Sequence, residues 1–181
     1  ESMWSYEAGY LTSLFREKLK LETSLYYQVG SNLIETVGQY PEVQYQNTGS
    51  FTHYGIEFSG TWYMMEHFSL EGNYSWLHMD EPISGAPVHK LFTALRYSQG
   101  KFRGKLSGMY IHDLYTNAAI DAKQSYFLLN ARISYQVLKF LNVWLSGENL
   151  LNQDYEINYD YPMPGITVIG GIDLKFQSEA K

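Results

Sequence analysis

The stretch SGENLLNQDYEINYDYPMPGITVIGGIDLKF, residues 146–176, ends in a segment of period two. Ile166, Val168, Gly170, Ile172, Leu174 and Phe176 fall on one face; Thr167, Ile169, Gly171, Asp173 and Lys175 fall on the other. Successive side chains of a β-strand point to opposite sides, so this segment presents one apolar face and one wet face. An aromatic, proline-containing connection, DYEINYDYPMPG, leads into it.

The same alternation runs through the whole chain. It predicts nine strands at approximate limits 3–14, 18–30, 48–62, 67–79, 87–98, 101–115, 124–137, 141–149 and 166–176. Each offers the ~9–11 alternating residues that a tilted strand needs to cross a bilayer, more than the ~5–6 of an average strand. In 67–79, Phe68, Leu70, Gly72, Tyr74 and Trp76 oppose Ser69, Glu71, Asn73 and Ser75. In 124–137, Phe127, Leu129, Ala131, Ile133, Tyr135 and Val137 oppose Tyr126, Leu128, Asn130, Arg132, Ser134 and Gln136. A slip of one residue would exchange the faces, so the pattern specifies register strongly.

Composition agrees with one face in lipid and one in water. The 181 residues include 17 Tyr, 9 Phe and 4 Trp, yet mean hydropathy is only −0.31 and charged residues are 18%, below the ~25% of soluble domains. A soluble β-sandwich also alternates. The polar face argues against it, because it carries charges of both signs spread across the sheet: Glu7, Lys20, Glu22, Glu57, Glu71, Arg96, Arg103, Lys105, Arg132, Glu148, Asp173 and Lys175. The apolar face carries amphipathic rings near strand ends (Trp4, Tyr10, Tyr27, Trp62, Trp76, Tyr97, Tyr110, Tyr135), the pattern of an aromatic girdle.

Several classes are excluded. No apolar run approaches the ~18–20 residues of a membrane helix. Cysteine is absent, so neither disulfides nor thiolate metal sites exist. Net charge is −6 with no basic run, so nucleic acid is not an expected partner. The chain opens on Glu1 with no leader, which reads as a processed or excised piece. Short connections (FREK, YMMEH, SQGK, LKF) alternate with long ones (ETVGQYPEVQYQNTGS, DEPISGAP, YTNAAIDAKQ, LNQDYEINYDYPMPG). Outer-membrane barrels sort periplasmic turns from extracellular loops in this way. Nine is an odd number, and unpaired edges in lipid are costly. The strands are therefore expected to be part of a larger barrel or to pair with another chain.

Four stretches carry a family resemblance in chain order. The C-terminal stretch, through Asn149, Leu150, Tyr155, Pro162, Pro164, Gly165 and Phe176, resembles the closing signature of the TonB-dependent outer-membrane receptors. ESMWSYEAGY resembles that family's mid-barrel strand opening, at Glu1, Ser2, Tyr6, Glu7 and Gly9. YQNTGSFTHYGIEFSGTW resembles an internal strand, at Asn47, Gly49, Gly55 and Glu57. GAPVHK resembles the loop before a later strand. The resemblance implies an all-β, antiparallel up-and-down meander forming about nine C-terminal strands of a 22-stranded transmembrane β-barrel with a plugged lumen. Residues 1–176 would be this portion of the barrel. Residues 177–181, QSEAK, depart from the family by following the terminal Phe176, and read as a short tail. It further implies the outer membrane of a Gram-negative bacterium, with lipid around the barrel. Drive would come from the TonB complex, acting through an N-terminal plug and its TonB box. A surface lipoprotein is a further partner that this reading leaves open.

No residue pattern points to catalysis, a metal site or a cofactor. The five histidines (His53, His67, His78, His89, His112) are scattered in sequence, and a lone loop histidine is usually only solvated. Function is expected in the long loops and outer lumen. There Tyr40, Tyr45, Phe51, His53, Tyr115, Tyr159 and Tyr161 offer rings to a bulky small-molecule ligand such as a metal chelate; Asn149, Leu150, Tyr155, Pro164, Gly165 and Phe176 are expected to be structural. The expected activity is import of a scarce nutrient of the ferric siderophore, haem or cobalamin class. The alternatives are a passive porin or adhesin barrel, and a carbohydrate-binding sandwich.

Overall fold

The computed structural model describes residues 1–37 and 44–175. Strands β1 (Ser2–Leu14), β2 (Leu19–Val37), β3 (Gln44–Met65), β4 (Phe68–Met79), β5 (Pro87–Gln99), β6 (Phe102–Asn117), β7 (Ala122–Leu138) and β8 (Leu141–Glu148) follow one another. Two short strands, β9 (Glu156–Asn158) and β10 (Tyr161–Pro162), precede the last, β11 (Thr167–Leu174). The main sheet has nine strands in the order β1-β2-β3-β4-β5-β6-β7-β8-β11, and β9 and β10 pair separately. Every pairing is antiparallel. The expected nine-strand meander is present. Its ends, β1 and β11, are not paired with each other, so the sheet is open.

The structure corrects the loop-side boundaries. The predicted second strand stopped at residue 30, but β2 runs to Val37 and β3 begins at Gln44. Asn32 takes a left-handed φ of 55° where the register shifts between Ser31 and Leu33. This bulge absorbs the irregularity and lets pairing continue. The predicted loop 116–123 shrinks likewise. There β6 and β7 are joined by a 3-10 turn at Ala118–Ile120, and the Asn117 side chain accepts from the Ala119 amide at 3.1 Å. Tyr40, Phe176 and the 177–181 tail lie outside the described residues.

Register decides which residues share a face, because directly paired residues lie on the same side. The pairs Glu7↔Tyr26, Ser24↔Glu57, Glu71↔Ala94, Arg96↔Lys105, Lys105↔Arg132, Arg132↔Ser146 and Asp173↔Asn142 run along the wet face. The other face carries Leu25, Ile56, Trp76, Leu91, Leu106, Phe127, Ile133, Leu145 and Ile172. Between its two aromatic rims, no described residue on this face is Asp, Glu, Lys or Arg.

Both rims are built from touching rings. On the loop side Tyr27 and Tyr54 lie 6.4 Å apart, Tyr54 and Trp76 5.9 Å, and Tyr54 and His78 4.6 Å. On the turn side Tyr97 lies 4.8 Å from Phe68 and 5.9 Å from Phe102. All eight rings predicted as a girdle are on this face. Along β5 the band between His89 and Tyr97 is about 26 Å at ~3.3 Å per residue, or on the order of 20 Å vertically at a ~40° tilt, close to the ~25 Å apolar band of membrane barrels.

Burial is inverted relative to a soluble sandwich. Val168 is 63% exposed and Ile172 66%, and among the described residues no second sheet covers the apolar face. The buried apolar residues Ala94, Ile111, Leu114, Tyr126 and Leu128 all lie on the wet face. That face is concave: Glu7 on β1 and Met109 on β6 line one cavity of ≈620 Å³, although five strand spacings of ~4.8 Å would hold them about 24 Å apart in a flat sheet. Two glycines make room on the same face. The Tyr26 phenol lies over Gly55, and the Trp144 indole lies over Gly171; a Cβ at either would collide with the ring.

Candidate functional site

The concave wall is divided by charge. Strands β1–β4 place Glu7, Glu22, Glu57 and Glu71 there, with Lys20 as the only Lys or Arg among the described residues. The strands from β5 onward place Lys90, Arg96, Arg103, Lys105 and Arg132 there, with Lys175 just past β11, against Glu148 and Asp173. The charges expected to be mixed across the sheet are thus sorted into an acidic and a basic sector. Arg96, Lys105 and Arg132 are direct cross-strand partners, and like charges in that relation repel. Each has its own compensation. Arg96 bonds Glu71 at 2.6 Å, Lys105 sits 5.2 Å over the Phe92 ring, and Arg132 lies 3.8 Å over Trp144. Trp144 in turn donates its indole N–H to Asp173 at 3.3 Å.

At the loop-side end, the connection from β8 to β11 folds back over the wall. Asn149, only 3% exposed, organises it. Its amide nitrogen donates to the carbonyls of Gln153 (2.8 Å) and Pro164 (3.2 Å), its side-chain oxygen accepts from the Gln153 amide (2.8 Å), and its own backbone N–H donates to Asn130 Oδ1 (2.8 Å). Its φ of 49° is a conformation that asparagine tolerates better than most residues. Leu150 N–H bonds the Leu129 carbonyl at 2.8 Å. Asn152 Oδ1 accepts from the Ile166 N–H at 3.2 Å and comes within 2.5 Å of where a Cβ on Gly165 would be. The Tyr155 ring then lands 4.6 Å from Tyr126, against the cluster of Ile111, Leu114 and Leu128. Tyr159 N–H reaches the Thr116 carbonyl at 3.2 Å, and Glu156 N–H reaches Gln124 Oε1 at 2.7 Å.

The structure sorts the candidate ligand residues into separate places. Phe51 and His53 lie together on the concave side at the mouth, with ring centroids 4.5 Å apart and His53 buried. Tyr26, not foreseen, joins that neighbourhood with Gln28 along a cavity of ≈360 Å³. Tyr159 and Tyr161 are exposed on the β9–β10 hairpin above β6. Three strand spacings separate β3 from β6, on the order of 14 Å. Tyr45 is exposed on the upper β2–β3 hairpin. Tyr115 points to the outer side, with Lys123 Nζ 4.5 Å above its ring. Among the described residues, no cluster of three His, Asp or Glu could hold a metal.

Asp80, just past β4, ties the β4–β5 connection to β3. Its Oδ1 accepts from Thr52 N–H at 2.6 Å and Glu81 N–H at 2.7 Å. The Thr52 bond above all holds its carboxyl below the usual carboxylate range. A depressed pKa gives stability that is present above the unfolded value of ~3.9 and lost as pH falls through the lower folded value. The group is exposed, so the global effect is small. Asp80→Ala is expected to remove amide-exchange protection at Thr52 at neutral pH, as strong acid does to the parent protein. Unchanged protection would show that the bond carries nothing.

Comparison with known proteins places this geometry. Residues 1–150 match the family described as TonB dependent receptor-like, beta-barrel. The curated proteins give no match. Among solved structures the chain is similar to the siderophore receptor PiuA from Acinetobacter baumannii (TM-score 0.77, 16% identity, 96% of this chain and 28% of that one). It is similar also to the FrpB iron transporter from Neisseria meningitidis (0.76, 15%, 96% and 31%) and to the copper transporter OprC (0.77, 15%, 96% and 31%). The chain thus spans less than a third of the length of these proteins.

Proposed function

We propose, from the premise that this chain belongs to the TonB-dependent receptor β-barrel family, that it forms the C-terminal wall of a 22-stranded outer-membrane receptor importing a scarce, bulky nutrient of the metal-chelate class. A ferric siderophore, haem or cobalamin would be such a nutrient. The observation that carries this reading is the pairing of a charge-free outer face with a charged concave wall whose mouth is lined by aromatic rings. Lipid meets the first, and a plug and ligand meet the second. The loop-side rim faces the exterior and the short turns face the periplasm. A TonB complex acting on the plug supplies the energy.

Phe51, His53 and Tyr26 at the base of the mouth, and Tyr159 and Tyr161 above it, are the ligand-facing rings in this proposal. The rigid frame built on Asn149 matters to it, because exposed tyrosines on a fixed hairpin lose little conformational entropy on binding. The test is uptake of a radiolabelled ferric chelate by cells whose sole receptor is the full-length protein, with and without TonB. Uptake that persists without TonB would contradict the proposal. Tyr159→Ala with Tyr161→Ala is expected to weaken uptake at limiting ligand about tenfold, from roughly 0.5–1.5 kcal/mol of ring contact at each site. Unchanged uptake would remove the hairpin from the binding surface.

A further inference from the structure

Three of the five histidines, distant in sequence, become neighbours through register. His78, His89 and His112 sit on the adjacent strands β4, β5 and β6, all on the outer face at its loop-side rim. His89 and His112 are direct cross-strand partners with ring centroids 5.7 Å apart. His78 stacks on Tyr54 at 4.6 Å, beside Trp76. The Nδ1 atoms are engaged: His89 with the Tyr74 hydroxyl at 2.9 Å, His112 with the Ser125 hydroxyl at 3.0 Å. Immediately below begins the band that carries no Asp, Glu, Lys or Arg.

We infer that His89 and His112 form a pH-gated seat for the phosphate of a lipid headgroup. Imidazole is the side chain that gains its proton between pH 5 and 8. Two protonated rings facing each other across strands repel, and an anion shared between them removes that repulsion. The ionisable groups facing the row are Tyr54 from β3, Tyr74 from β4, and Tyr110 and Asp113 from β6. Asp113 Oδ2 stands 3.8 Å from His112 Nε2, within ion-pair range of a protonated ring but too long for a hydrogen bond, and both side chains are exposed to water, which screens the pair. From β7 comes Lys123, held by Asp121 at 2.9 Å, two residues beyond Ser125 on the same face. The height of the row selects a lipid as the source of the phosphate, since an acyl chain below the headgroup would lie along the Leu91 and Phe127 band.

This inference rests on the reading of the outer face as lipid-exposed, and the experiment separates the two. The full-length receptor is placed in phosphatidylcholine nanodiscs containing spin-labelled phosphatidylglycerol, whose phosphodiester keeps its charge over the range used. The motionally restricted fraction is compared with that of spin-labelled phosphatidylcholine at about pH 7.5 and about pH 5.5. The preference for the anionic lipid is expected to rise at least about threefold on acidification, and to stay flat in His89→Gln/His112→Gln. A flat response in the parent protein, or an equal rise in the double variant, overturns the seat. Loss of the preference on adding excess inorganic phosphate overturns the lipid assignment in favour of a soluble anion. Trp76 fluorescence in brominated phosphatidylcholine tests the premise. If Trp76 is quenched while the preference stays flat, only the seat fails; an unquenched Trp76 removes the lipid face and the seat together.

Discussion

Arginine in place of Phe58 is expected to destabilise the protein in a bilayer by about 2–4 kcal/mol, while arginine at Ser59, one residue along, is expected to change stability by no more than about 1 kcal/mol. Phe58 lies on the outer face of β3, midway between Tyr54 at one rim and Trp62 at the other, and is 42% exposed. A guanidinium there sits near the bilayer midplane, with no charged residue on its own face to answer it. Ser59 points into the concave wall opposite Glu22 and Asn73. A guanidinium there finds water and the acidic sector of Glu22, Glu57 and Glu71. Urea unfolding of the full-length receptor in lipid vesicles measures both. Equal costs at the two sites would mean that the faces do not meet different solvents.

The second large effect is expected at Asn149. Asn149→Ala leaves the Gln153 amide, the Gln153 carbonyl and the Pro164 carbonyl without the partners they now have. Gln153 and Pro164 are exposed, so water can replace part of what is lost; at a net of roughly 0.5–1.5 kcal/mol per hydrogen bond, about 2 kcal/mol is expected in all. Alanine also fits the left-handed φ at this position poorly. The loss should be local first: faster amide exchange at Gln153, Glu156 and Tyr159, and release of Tyr155 from Tyr126. Asn149→Asp keeps the acceptor for Gln153 N–H but not the two donors, and should fall between. A variant that loses stability without faster exchange in 150–165 would show that Asn149 does not organise this connection.

These expectations draw unevenly on what the amino-acid sequence reveals by itself. Period-two alternation over long segments made the faces of β4 and β7 readable, because between the rims each outward position is apolar or aromatic and each inward one mostly polar. The boundaries at the loop side were not readable. Asn32 looks like a turn residue and instead forms a bulge, and the β9–β10 hairpin depends on side-chain bonds from Asn149 and Gln124 that span the connection.

The site was legible in part. Phe51 and His53, two apart on one strand, had to share a face. Tyr115 lies on the outer side because the register shifts between Ile111 and Leu114, and again after Tyr115, which single-strand periodicity does not show. The cationic row of Arg96, Lys105 and Arg132 and the histidine row have no local signature at all. Both exist only through cross-strand register, which single-strand periodicity does not encode. The same holds for the Arg132–Trp144 stack, whose partners lie on neighbouring strands with Gly171 cleared beneath the indole.

The central claim is that the charge-free face meets lipid and the charged face does not. Its most direct test uses the tryptophans already in place. Trp62 and Trp76 are on the outer face, one at each rim, and Trp144 is on the concave wall under Arg132. In variants of the full-length receptor retaining one of these three at a time, fluorescence is recorded in vesicles with brominated and unbrominated acyl chains. Strong quenching of Trp62 and Trp76 with none of Trp144 is the predicted result. Quenching of Trp144 to the same extent, or protection of Trp62 and Trp76, would contradict the account.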